Sequence, residues 1–189
     1  MFTKSFILTA LVAASASAAP LKRACDSPAV NDATLELIKE FEGFVESPSP
    51  DPIGLPTVGY GHLCQTEGCS EVEFDFPLSE EEATELLATD VVRYQDGVAD
   101  VLGSDAVLND NQYGALVSWC FNVGPGAVAD STLVSRLNDG EDVDTVLEEE
   151  LPKWVYADGE VFEGLVRRRN AEIKLGQTSS DTPALPAEC

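Results

Sequence analysis

A helix that is apolar on every side has to fold at the centre of a domain, and this chain contains one. In LNDNQYGALVSWCFNVG the residues from Ala115 to Val123 are apolar nearly all round, whereas a surface helix keeps a polar face. Asn109 and Gln112 have the spacing of a reciprocal N-terminal cap. Gly124 and Pro125 are stop signals at the other end. The rest of the chain must therefore supply the walls around this helix.

Amphipathic segments are available for that. Ser79 and Glu82 form a capping box before a long helix whose inner face is Ala83, Leu86, Leu87, Val91, Tyr94 and Val98. An earlier helix carries Leu35, Leu37, Ile38 and Phe41, with Asp32 or Thr34 as its N-cap, and stops at Glu42 before Gly43. Shorter helices are predicted over 131–137 and 143–151, and a final one over about 162–175. Between the first two helices, FVESPSPDPIGLPTVGYGH holds four prolines and no helical period, which suits a small β-hairpin with a rigid turn. In the strand TVGYGH, Thr57, Gly59 and Gly61 share one face and Val58, Tyr60 and His62 the other. The fold class is α+β: a small lobe over about 44–78, a helical lobe over 79–176, and a polar tail over 177–189 with no core of its own.

The first 18 residues read as a secretory signal peptide, with Lys4 before a short apolar run and Ala16-Ser17-Ala18 at the cleavage point. Residues 19–23 end in Lys22-Arg23, a dibasic site suggesting a short pro-segment, so the single domain spans 24–189. The leader's apolar run is too short to cross a bilayer and no later run is long enough. A secreted, monomeric protein is expected. The formal charge of −23 excludes a nucleic-acid footprint and a polybasic membrane surface. Loss of Lys4, Lys22 and Arg23 leaves eight basic residues against 34 acidic ones, a charge of −26. With 44% hydrophobic residues the acidity belongs to a folded surface, not to disorder.

Secretion allows disulfides. Cys64 and Cys69 enclose a loop short enough to close by itself, and Cys120 lies in the apolar helix, where a thiol acts as a small buried hydrophobe. That leaves Cys25 and Cys189 as a staple between the chain ends, although spacing alone leaves other pairings open. His62 is the only histidine. A metal centre needs more ligands than one imidazole and oxidised cysteines, so no metal is expected. His62 is expected instead to pair with a carboxylate of the long helix, Asp90 or Asp96.

Glu42, at the negative end of a helix dipole and near the lobe junction, sits where the ionised form is disfavoured, which suits a general acid. Asp51 is held between Pro50 and Pro52, and Thr57 opens the strand beside two glycines that leave room for a ligand. Singly these are weak signals. Together, E-G-x7-D-x5-T-x-G-x-G-H resembles the catalytic stretch of the phage-type lysozymes, the endolysin muramidases of glycoside hydrolase family 24. The resemblance extends through LNDNQYGALVSWCFNVG, TLVSRLNDG, Trp154 and Gly164 to Glu172, and covers roughly 34–176.

That resemblance implies a lysozyme-like two-lobed fold with a cleft between the lobes. It implies a muramidase acting on peptidoglycan glycan strands, without a cofactor. Glu42 matches the general acid, and Asp51 and Thr57 match residues that position the attacking water in an inverting displacement, for which the carboxyls stand about 6.5–9.5 Å apart. Leu63 and Phe121 match cleft-lining positions, and Thr132 a polar cleft position. Chitin hydrolysis and a non-catalytic wall-glycan binder are the competing functions. Of Arg167, Arg168 and Arg169, successive helix positions about 100° apart, two are expected to pair with carboxylates and not to form a cationic patch. Many members of the family are basic. This acidic chain is repelled by an anionic wall at neutral pH, so acidic working conditions are expected.

Overall fold

The computed structural model describes residues 26–50 and 54–187. Helix α1 (Asp32–Glu42) is capped by Asn31, whose side chain accepts from the Thr34 amide, in place of the expected Asp32 or Thr34. Strands β1 (Val45–Pro50), β2 (Pro56–Gly59) and β3 (His62–Leu63) form an antiparallel sheet in that order. The register pairs Ser49 with Thr57 and Thr57 with Leu63. The stretch TVGYGH is therefore not one strand. Gly59 and Gly61 take φ of +64° and +87°, which only glycine adopts readily, and they turn the chain back on itself.

Helices α2 (Glu80–Asp90) and α3 (Val92–Val101) replace the single long helix expected from Ser79. The capping box of Ser79 and Glu82 forms as read. The break falls at Val91, a nearly fully buried residue with no helix-breaking character, and the preceding Asp90 is the residue that His62 grips. After β4 (Leu108–Asn109), the apolar run forms α4 (Asp110–Val123) with its Asn109–Gln112 capping box intact. Then follow α5 (Pro125–Ala129), α6 (Thr132–Asn138), α7 (Val143–Glu150), the hairpin β5 (Tyr156–Ala157) and β6 (Glu160–Val161), α8 (Glu163–Gly176) and β7 (Pro183–Leu185).

Helix α4 packs against α1, α3, α5 and α8, and every residue from Tyr113 to Cys120 on it is buried. The centre-of-core reading is correct. The tail, read as having no core of its own, adds to this one: β7 pairs with β4 and buries Ala184 and Leu185 against the core.

Gly114 sets a close crossing of α4 and α1. A Cβ there would stand 1.9 Å from Thr34 Oγ1 and 3.1 Å from Thr34 Cβ. Thr34 is fully buried and its hydroxyl is committed to Asn31 Oδ1 at 2.9 Å, so it cannot retreat freely. Gly114→Ala is expected to destabilise the protein by about 2 kcal/mol, overpacking outweighing the gain in helix propensity. A thermal melt checks this, and an unchanged or raised Tm refutes the crossing as tight.

Candidate active site

Glu42 is the last residue of α1, and the α1–α4 crossing at Gly114 fixes where that helix end points. Its side chain is 23% exposed. Arg168, reaching across from α8, donates from Nη1 to Glu42 Oε1 at 2.6 Å. The same guanidinium lies 5.7 Å from the centre of the Phe41 ring. From the small lobe, the turn after β2 brings Gly61 so close that a Cβ there would stand 3.3 Å from Glu42 Oε2. One carboxylate oxygen is thus held by the helical lobe and the other faces the sheet. Of the two glycines expected to leave room for a ligand, Gly61 borders the carboxylate. Gly59 instead admits Ala83 and Leu86 of α2 at van der Waals distance.

Thr57 is half-buried in the middle strand, its hydroxyl donating to the Ser49 carbonyl at 3.4 Å. Leu63, its register partner, is 37% exposed. Phe121, at the end of α4, is half-buried with its ring 4.7 Å from that of Tyr94. Thr132 is exposed in the first turn of α6, where Ser131 is the cap. Asp51 lies outside the described residues, as do Cys25, Cys189, the leader and the pro-segment.

Of the three successive arginines, Arg168 and Arg169 are buried and paired with carboxylates while Arg167 is exposed, as the helix geometry required. Arg168 itself, although it contacts Glu42, was not singled out from sequence. Three adjacent arginines are equivalent on paper until the orientation of α8 is known.

The Cys64–Cys69 disulfide forms, and Cys120 is a buried free thiol that burial pushes up to about 12. Glu71 lies within 4.8 Å of both disulfide sulfurs, but sulfurs bonded to each other are not thiolate ligands. His62 Nδ1 lies 2.8 Å from Asp90 Oδ2 and Nε2 lies 3.4 Å from Glu71 Oε1. Asp96, the other carboxylate considered, accepts from Ser27 instead. His62 therefore ties the disulfide loop to α2.

In that loop Thr66 Oγ1 and the Gln65 amide donate to Glu71, and these hydrogen bonds hold its carboxyl down at about 2. A carboxyl with a depressed folded pKa contributes stability above its ordinary value near 4.5, and that stability is lost as pH falls through about 2. Glu82, Glu141, Asp142 and Glu150 are lowered in the same direction. Glu71→Gln is expected to lower Tm at pH 6 and to change it little at pH 2. An equal loss at both pH values refutes a charge-based contribution.

With this geometry established, residues 39–172 match the Phage lysozyme family. The chain belongs to that family. It is 38% identical over 148 residues to the endolysin of Bacillus phage B103, covering 77% of this chain and 53% of the relative. The endolysin of Bacillus phage PZA is 34% identical, with 82% and 56% covered. The chain thus spans about half the length of these curated relatives. Among solved structures, the muramidase domain of SpmX from Asticaccaulis excentricus superposes with a TM-score of 0.66 at 31% identity, covering 79% of this chain and 98% of that domain. A P22 lysozyme variant gives 0.65 at 29% identity, with 78% and 97% covered. The expected α+β, lysozyme-like fold is correct.

Proposed function

We propose that the protein is a secreted lysozyme that hydrolyses the β-1,4 bond between N-acetylmuramic acid and N-acetylglucosamine in peptidoglycan. The observation that carries this reading is Glu42: a partly exposed carboxylate at the junction of the lobes, one oxygen anchored by Arg168 and the other facing the sheet. The endolysin and muramidase names of its relatives support the substrate class. Glu42 protonates the leaving glycosidic oxygen. Asp51 and Thr57 position a water on the opposite face of the sugar, and the anomeric configuration inverts. Leu63, Phe121 and Thr132 line the cleft. The leader over 1–18 and the pro-segment over 19–23 are removed on export, and no cofactor takes part.

The acidity points to work at low pH, where a wall and an enzyme that are both anionic repel less. Glu71, held down at about 2, keeps its stabilising charge in mildly acidic conditions.

Purified peptidoglycan and chitin, offered separately, test the substrate by release of reducing ends. Time-resolved NMR of the product anomers tests the displacement. Reducing ends from peptidoglycan, with the α-anomer formed first and the optimum below about pH 7, are the expected results. Turnover of chitin alone, or a product that keeps the β configuration, refutes the reading.

A further inference from the structure

Beneath Glu42 lies a charged group that the cleavage reaction does not explain. Glu172 is fully buried, one turn along α8 from Arg168. Its Oε1 accepts from Ser118 Oγ at 2.9 Å and from Arg168 Nε at 3.3 Å, and its Oε2 stands 2.9 Å from Arg169 Nε. Burying an ionic cluster is costly, and apolar residues of the same volume usually stabilise a core as well. A core on stability grounds alone would not select it.

The contacts of Arg168 give the cluster a role. Arginine has a long, rotatable stem, and its planar fork acts directionally only when several donors are engaged. Here Nε points to Glu172, Nη2 to the Ser118 carbonyl at 3.2 Å and Nη1 to Glu42. Glu172 and Ser118 hold the base of the fork so that Nη1 is turned to Glu42. Glu172 also offsets the mutual repulsion of Arg168 and Arg169, which would otherwise drive the two guanidiniums apart. The outcome is that Glu42 Oε1 is occupied by Arg168 and Oε2 is left facing the sheet at Gly61.

We propose that Glu172 is a positioning residue: with Ser118 it aims Arg168 at Glu42, and it affects turnover only through that guanidinium. This rests on the reading of Glu42 as the general acid. The test measures kcat and KM on peptidoglycan for Glu172→Gln, Ser118→Ala, Arg168→Met and the Glu172→Gln/Arg168→Met double variant, each checked for a cooperative melt. Glu172→Gln is expected to lower kcat about 10- to 100-fold, as supporting residues behind a reactive group do, with KM within about twofold. In the Arg168→Met background it is expected to cause no further loss in kcat.

An unchanged kcat, a loss confined to KM, or a loss that multiplies fully with that of Arg168→Met overturns the proposal. If Glu172→Gln does not fold, Ser118→Ala, which removes one hydroxyl donor and no charge, is judged by the same criteria alone and in the Arg168→Met background. The underlying reading fails separately: full turnover by Glu42→Gln removes the acid, whereas loss of turnover there with none in Glu172→Gln removes only the positioning.

Discussion

Replacing Glu42 by Gln is expected to reduce hydrolysis of purified peptidoglycan by about 10²–10⁴-fold, the range over which a positioned proton donor acts. The substitution keeps the size and planarity of the side chain and leaves an amide oxygen for Arg168, which donates to Glu42 Oε1 at 2.6 Å. What it removes is the proton. Glycan binding is expected to survive, since Leu63 and Phe121, the proposed cleft walls, are untouched. Reducing-end release and pull-down on insoluble peptidoglycan, run side by side on protein shown to melt cooperatively, separate the two properties. Retained turnover rules out Glu42 as the acid. A parent protein that binds and never cleaves has no turnover to lose, and the non-catalytic reading then stands.

Trp119→Ala is expected to cost about 3–5 kcal/mol of folding stability, a large share of the roughly 5–15 kcal/mol of a typical domain. Trp119 is fully buried in α4 and meets Trp154 edge-on, with ring centroids 5.1 Å apart and planes 70° apart. Helices press on α4 from several sides, so no single neighbour can move in to fill the void without abandoning its own contacts. Chemical denaturation of the two proteins measures the difference. A loss below about 1 kcal/mol would mean that the surroundings collapse freely and that α4 is not tightly enclosed.

The helical lobe was legible because its signals are local and strong. The Asn109–Gln112 and Ser79–Glu82 boxes, the apolar run of α4 and the glycine after Glu42 each state a boundary within a few residues. The features that escaped depend on distant partners or on weaker turn signals. Asp158 and Gly159 take φ of +52° and +82° and close the β5–β6 hairpin, and the Asp-Gly pair was a readable signal for it. Pro125 begins α5 as well as ending α4, in keeping with the preference of proline for a first helical turn. Strand β7 forms only because β4 offers an edge, which nothing in a polar tail announces. At the site, Glu42 was found by motif, whereas Arg168 and Glu172 emerge only when α8 is laid against α4.

Helix α4 holds the core together through Trp119 and, one residue earlier, uses the hydroxyl and the carbonyl of Ser118 to fix the ion cluster under Glu42. On the proposed mechanism, folding and chemistry therefore draw on the same turn of helix. A change there cannot alter one without disturbing the other, so new wall specificities have little scope to arise in α4. On the same reading the rim is different: Leu63 and Thr132 are solvent-facing, and it is at such proposed cleft positions that descendants of this chain are free to explore other glycans.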